Sequence, residues 1–356
     1  MEETVHLNIY GIPSGKNKVI DIVGDLGGFT FRELDKPCEN SFADENNHRY
    51  ITCINADFVP ENPDIFVASA RGNWTGHTKG GVILTYDGGD SFRHIGYPEN
   101  LSENLDTLIE TIKKPNTNSG WTAISADGKI ILWTLAEKWR FLPAFGAVRY
   151  DTVSERFSKI KIFDSDGKDI SESNSQIKLF SDRTDSSLFY GFGDSGQLYI
   201  SRDKGISFYQ CAVPDEFPEC RMSGFDGFKG GEIRFHPFKK GVCLAALMEH
   251  GLWEINFDKE ITTKRITDEG DYVKAAGYGK GETDLIPAIY ISGRLFGEYG
   301  FWRSFDNGIS WSRINTDNQM YGPVTSMDGD FRKKGRVYLS TSFIGAFYGE
   351  MHNLDN

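Results

Sequence analysis

Three aspartates recur in one eight-residue pattern, and their carboxylates could serve either acid–base chemistry or a turn. The pattern reads hydroxyl, any residue, Asp, any residue, Gly, two further residues and an aromatic. Its copies are 85–92, 201–208 and 304–311, which contain Asp87, Asp203 and Asp306. In a tight turn such a carboxylate accepts hydrogen bonds from backbone N–H groups. We therefore predict that these three Asp-box aspartates are structural and not catalytic.

Asp25 stands in a different context, within the segment Gly-Asp-Leu-Gly-Gly-Phe at 24–29. It follows the apolar run 19–23, which reads as a strand. The two glycines that follow allow a backbone or a ligand to approach closely. These local features are compatible with a residue that contacts a ligand, and the alternative is that Asp25 only caps a turn.

The elements around these aspartates read as short strands joined by tight turns. The chain has 356 residues with 39 glycines and 13% aromatic residues, and it lacks long helical periodic runs, a composition typical of all-β proteins. From residue 51, four strands and an Asp box fall within about forty-five residues, the length of one propeller blade. We predict a single β-propeller domain over 1–356 with six to seven four-stranded blades. The N-terminal strands and 336–348 are expected to complete one shared blade.

A net charge of -12 makes nucleic acid and membrane surfaces poor partners for this chain. The seven histidines are scattered and the five cysteines form no C-x-x-C pair, so we predict no metal site and no cofactor. Cys211 and Cys220 are near enough to be bridged, although free thiols are the simpler expectation. The first residues lack a basic and apolar leader pattern, which by itself indicates an unexported, soluble chain.

The ordered set of motifs resembles the C-terminal half of glycoside hydrolase family 74, the xyloglucan-cleaving β-glucanases built from two seven-bladed propellers. The segments that carry this resemblance are 2–4, 13–15, 24–29, 125–128 with Trp133, 277–280, 287–290, 303–304, 313–315, 335–338 and 348–349. Their order and approximate spacing match from end to end. The resemblance implies a seven-bladed propeller, an extracellular location and xyloglucan or its oligosaccharides as substrate.

The resemblance also implies a role for Asp25. In that family two aspartates, one from each propeller, face each other across a cleft and hydrolyse the glycosidic bond with inversion. Asp25 aligns with the member from the second propeller, the general acid, and the base would come from a first propeller that this chain lacks. The family places a histidine two residues after the Phe of this motif, whereas this sequence has Phe31. A companion N-terminal propeller is therefore an expected partner.

Aromatic residues in predicted loops are the candidates for stacking on sugar rings. They are Trp74, Trp133, Trp139 and Tyr299. A rival enzyme class, the sialidases, needs an arginine triad that is not evident here. The rival of another class is a non-catalytic Asp-box propeller that binds glycan or protein, and the missing second carboxylate favours it.

Overall fold

The computed structural model describes residues 4–38, 41–114, 120–135, 147–173, 177–193, 195–219 and 231–351. Within these ranges the strands form seven separate sheets that follow one another in chain order. The innermost strands of most neighbouring sheets contact each other, and the innermost strand of the first sheet contacts that of the last. This arrangement is a seven-bladed β-propeller, so the predicted all-β propeller class is confirmed.

Each sheet is a meander of neighbouring antiparallel strands. Blade 1 contains β1 (His6–Gly11), β2 (Val19–Val23) and β3 (Gly27–Phe31). Blade 2 contains β4 (Cys53–Phe58), β5 (Phe66–Ala70), β6 (Gly81–Thr85) and β7 (Arg93–His94). Blade 3 contains β8 (Trp121–Ile124), β9 (Ile130–Thr134), β10 (Ala147–Asp151) and β11 (Arg156–Lys159). Blade 4 contains β12 (Lys161–Phe163), β13 (Ile177–Ser181), β14 (Phe189–Gly193), β15 (Leu198–Ser201) and β16 (Ser207–Gln210). Here β12 is an added outer strand, parallel to β16.

The remaining blades continue the same pattern. Blade 5 contains β17 (Glu232–Phe235), β18 (Val242–Ala246), β19 (Leu252–Phe257) and β20 (Ile261–Arg265). Blade 6 contains β21 (Tyr272–Thr283), β22 (Ile286–Leu295), β23 (Glu298–Ser304) and β24 (Ser312–Arg313). Blade 7 contains β25 (Val324–Gly329), β26 (Val337–Thr341) and β27 (Ala346–Gly349). The apolar core lies between the blades. One buried cluster, for example, joins Leu244 of blade 5 to Val273 and Ile291 of blade 6.

The innermost strands leave one edge without a neighbouring strand, and polar side chains satisfy that edge. Asn55 of β4 donates to the carbonyl oxygen of Thr122 and accepts from its N–H, across to β8. Asp57, also of β4, accepts the N–H of Ile124 on β8 at 2.8 Å. Since unpaired backbone groups are costly when buried, these side chains stabilise the ring of blades where no strand ladder exists.

The ring closes in the same way between β25 and β1. Asp328 accepts the N–H of Gly11 at 3.0 Å, and the hydroxyl of Ser326 accepts the N–H of Ile9 at 3.1 Å. Thr325 donates to the carbonyl oxygen of His6. The predicted shared blade is wrong, because the N-terminal strands and the C-terminal strands occupy separate sheets. Side-chain hydrogen bonds and packing replace the expected strand pairing.

One helix, α1 (Glu103–Ile112), lies between blades 2 and 3. Its buried residues are Leu105, Leu108, Ile109 and Ile112, which have helical spacing. The hydroxyl of Ser102 accepts the N–H of Leu105 and caps the first turn. This segment is an exception to the all-strand pattern expected from the composition, because its own periodicity is helical.

Asp328 at the closure predicts a pH-dependent stability. Burial raises the pKa of its carboxyl to about 6, although Arg234 and the N–H of Gly11 act in the opposite direction. The group therefore stabilises the fold fully below its unfolded pKa of 3.8, and this contribution disappears as the pH rises through about 6. We expect Asp328→Asn to gain stability relative to the parent by up to about 3 kcal/mol between pH 4 and pH 7.

Urea unfolding of both proteins at a series of pH values measures this difference. Comparing the variant with the parent cancels the other titrating groups, such as His236, whose pKa is lowered by burial to about 4. Asp284→Asn, on an exposed hairpin, controls for the loss of a surface carboxylate. A stability difference that stays constant over this pH range would contradict the assignment.

Candidate functional site

The two ends of the propeller carry different loops. One end, which we call the Asp-box face, carries the turns of Asp87, Asp203 and Asp306, each between the third and fourth strands of its blade. The opposite end carries the turn between β2 and β3, which contains Asp25, and we call it the Asp25 face. Because successive strands of a meander run in opposite directions, these two kinds of turn must lie at opposite ends.

Asp25 lies at the tip of a tight turn and is exposed. Its backbone has a φ of 60°, and its N–H donates to the hydroxyl of Thr52 at 2.9 Å. A Cβ on Gly27 would lie 2.8 Å from the carbonyl oxygen of Tyr50, and one on Gly28 would lie 2.8 Å from the ring of Phe42. The two glycines are thus explained by packing against the segment before β4, and not by an opening for a ligand.

A buried arginine connects Asp25 to an exposed tryptophan. The guanidinium of Arg71 lies 5.6 Å from the ring centroid of Trp74, whose side chain is 66% exposed. Burial lowers the pKa of Arg71, and the charge of Asp25 acts in the opposite direction. The backbone N–H of Arg71 donates to the carbonyl oxygen of Thr52, so Asp25 and Arg71 are held by the same residue. Arg71 therefore interacts both with Asp25 of blade 1 and with Trp74 of blade 2.

Two stacked histidines extend this surface. The rings of His48 and His77 have centroids 4.6 Å apart at an interplanar angle of 18°. His48 Nδ1 lies 3.1 Å from Asp44 Oδ2, and His77 Nδ1 lies 2.8 Å from the hydroxyl of Thr75. The sequence analysis missed this pair, because the two residues are 29 positions apart on different loops and no local pattern brings them together.

The other predicted aromatic residues have different fates. Tyr299 is half-buried on the Asp25 face at blade 6, with its hydroxyl 3.2 Å from that of Ser292. Trp133 is 0% exposed in the core beside α1, so it presents no face to a sugar and is not part of the proposed site. Trp139 lies outside the described residues. Trp74 and Tyr299 are therefore the predicted platforms that the structure places on the same face as Asp25.

The Asp-box aspartates are engaged in their own turns. Asp306 accepts the hydroxyls of Ser304 and Ser310 at 2.7 and 2.6 Å and the N–H of Ser310 at 2.9 Å. Asp87 and Asp203 make equivalent bonds. Partial burial opposes the effect, but hydrogen bonds from Thr85 and Ser91 lower the pKa of Asp87. Gly308 takes a φ of 83° that favours glycine. The hydrogen bonds of these carboxylates therefore lie within their own turns, as expected for a structural role.

The central channel of the propeller forms a cavity with a volume of about 840 Å³. Its walls come from the innermost strands, and its rim comes from loops on the Asp-box face, among them 60–62, 126–127 and 237–238. Asp25, Trp74 and Tyr299 do not line it. The predicted catalytic residue thus lies on an open surface, at the opposite end from the channel mouth.

Other site types find no support in the described parts of the chain. No group of three or more His, Cys, Asp or Glu side chains there could hold a metal ion. Cys38, Cys53, Cys211 and Cys243 form no disulfide among the described residues, in line with the expectation of free thiols. Cys220 lies outside the described residues, so the alternative of a bridge to Cys211 is not tested. The helices that are described include none long and apolar enough to cross a membrane.

No family model matches the chain. It is 29% identical to a xyloglucanase from Paenibacillus sp over 98% of its own length and 30% of that protein's length. It is 27% identical to an oligoxyloglucan-reducing end-specific xyloglucanase from Emericella nidulans, over 99% of this chain and 41% of that protein. The chain thus spans less than half the length of these relatives.

Solved structures agree on the fold. The xyloglucanase of glycoside hydrolase family 74 from Xanthomonas campestris matches 99% of this chain and 44% of its own, with a TM-score of 0.72 and 24% identity. YCF48 from Cyanidioschyzon merolae matches 98% of this chain and 96% of its own, with a TM-score of 0.56 and 11% identity. The resemblance expected from the sequence, to xyloglucanases of family 74, is confirmed.

Proposed function

We propose that this chain is the second-propeller part of an extracellular, xyloglucan-cleaving glycoside hydrolase, in which Asp25 is the general acid. The similarity to xyloglucanases over nearly the whole chain carries this proposal. The substrate is the β-1,4-glucan backbone of xyloglucan or its oligosaccharides. Trp74 and Tyr299 are proposed to stack on the sugar rings.

An inverting hydrolysis explains why an additional, N-terminal propeller is needed. One carboxyl group protonates the leaving oxygen while a second one activates water on the far side of the sugar, and the two stand about 6.5–9.5 Å apart. No second carboxyl with this role is proposed on this chain. The base is therefore assigned to an N-terminal propeller that faces the Asp25 face.

The exposure of Asp25 supports the same requirement. A general acid must carry a proton at the working pH, and burial in a closed cleft is a common way to keep a carboxyl protonated. Asp25 is exposed in this chain. A covering propeller would exclude water from this surface and complete the acid site.

The test is a reconstitution. The chain is assayed on xyloglucan alone and after mixing with the N-terminal propeller of a family 74 enzyme, with release of reducing ends as the measurement. We expect the chain alone to be inactive and the mixture to be active. A mixture that stays inactive, although the two propellers form a complex, would contradict the enzyme assignment.

The second candidate is a non-catalytic propeller that binds glycan or protein. YCF48, which this chain covers over 96% of its length, shows that a chain of this size can be a whole propeller of this fold. Direct binding of xyloglucan oligosaccharides to the chain, without hydrolysis in the mixture, would favour this candidate.

A further inference from the structure

The central channel has an unequal set of charges and hydrogen-bonding groups in its lining. Five carboxylates and three cations line it. The carboxylates are Asp57, Glu61, Asp127, Glu232 and Asp328, and the cations are Lys178, Arg183 and Arg234. The lining therefore has an excess of negative charge, which disfavours an anionic ligand.

Two of the buried carboxylates in the lining, those of Asp57 and Glu232, already accept four hydrogen bonds or ion-pair contacts each. Asp57 accepts from Arg183, from the hydroxyl of Ser181 and from the N–H groups of Phe58 and Ile124. Glu232 accepts from Ser326, Arg234 and the N–H groups of Ala276 and Met327. Since a carboxylate has about four acceptor sites, these two groups are saturated and do not favour a cationic ligand.

The arginines, in contrast, retain donors. A guanidinium carries five N–H donors. The hydrogen bonds of Arg183 to described residues all come from Nη1, and those of Arg234 all come from Nη2. Arg234 Nε also lacks a hydrogen-bond partner among the described residues, but it is buried away from the channel. A ligand in the channel would therefore meet Nη2 of Arg183 and Nη1 of Arg234, for which the described residues provide no acceptor.

Aromatic rings complete the wall. The ammonium nitrogen of Lys178 lies 4.9 Å from the ring centroid of Trp121, and the guanidinium carbon of Arg234 lies 4.6 Å from the ring centroid of Tyr10. Phe180 packs beside Trp121 with ring centroids 5.6 Å apart. Rings next to hydrogen-bond donors suit a molecule that has both apolar ring faces and hydroxyl oxygens.

We propose that the central channel binds a neutral mono- or disaccharide, at a site separate from the Asp25 face. Its hydroxyl oxygens accept from Arg183 and Arg234, and its hydroxyls can donate to Asp328, which among the described residues accepts only the N–H groups of Gly11 and Gly329. The volume of about 840 Å³ lies within the usual range for small-molecule sites. Because the mouth of the channel is on the Asp-box face, the channel stays open when an N-terminal propeller covers Asp25.

The test is a binding measurement on the full chain with D-glucose, D-xylose and cellobiose, by saturation-transfer NMR and calorimetry. Sodium phosphate and choline chloride are the anionic and cationic comparisons. Glu61→Trp and Ser186→Trp narrow the mouth from blades 2 and 4 without altering the deep charges. Val153→Trp, at a position that is 76% exposed and does not line the channel, is the matched control.

We expect saturable binding of at least one sugar that is weakened tenfold or more by Glu61→Trp or Ser186→Trp and is unchanged by Val153→Trp and Asp25→Asn. No saturable sugar binding, binding that both rim variants leave intact, or loss of binding in Asp25→Asn would each overturn the proposal. Preferential binding of phosphate or choline would overturn the choice of a neutral ligand. None of these outcomes depends on hydrolysis of xyloglucan.

Discussion

Replacing Asp25 with asparagine is expected to lower xyloglucan hydrolysis by the reconstituted pair of propellers about 10²- to 10⁴-fold, the usual contribution of a general acid. Asparagine has nearly the same shape but cannot donate the proton to the leaving oxygen. It also tolerates the φ of 60° at this position, so the substitution adds little backbone strain. The loss should appear in kcat, with KM nearly unchanged.

The measurement is the rate of reducing-end release by parent and variant at equal concentrations of complex. Asp284→Asn, which removes an exposed carboxylate at the Asp-box face, is the control and should leave the rate unchanged. Asp25→Asn activity within twofold of the parent, in a mixture that is active, would exclude Asp25 as the acid while leaving the enzyme assignment intact.

Replacing Arg234 with methionine is expected to destabilise the fold by about 3–5 kcal/mol, because it leaves a buried carboxylate without its charged partner. Arg234 pairs with Glu232 and also donates to the carbonyl oxygen of Ile9 and the hydroxyl of Ser326, so it joins blades 5, 1 and 7. Burial raises the pKa of Glu232, and Arg234 acts in the opposite direction. The loss should therefore shrink at low pH, where Glu232 can take up a proton.

Urea unfolding at pH 5 and pH 8 measures this effect. Arg93→Met is the matched control, because it breaks an ion pair with Glu155 whose side chains are 45% and 62% exposed. Such a surface pair contributes less than about 1 kcal/mol. Adding Glu232→Gln to Arg234→Met should restore part of the stability. If Arg234→Met costs no more than the control, the closure does not depend on this ion pair.

The placement of the candidate site could be predicted only in part. Asp25 was expected to follow an apolar strand, with a turn cap as the alternative to a catalytic role, and the structure has the strand and the turn at this position. Its neighbours Arg71 and Trp74 come from another blade, and the His48–His77 pair joins two separate loops. Trp133 was placed at a loop because it stands near one in the sequence, yet its ring faces the core beside α1. The direction of the Trp133 side chain depends on its packing beside α1, a helix that the sequence analysis did not predict.

The sequence by itself determined the local structure of this protein. In the Asp boxes the carboxylate, hydroxyl and backbone groups that bond to one another lie within four residues, so the pattern is sufficient to specify the turn. Only the tertiary structure decided how the ring closes, since the N–H of Gly11 and the carboxylate of Asp328 are 317 residues apart. The same holds for the channel, where charges from different blades meet. Contacts of this kind depend on the number and rotation of the blades, which no local pattern specifies.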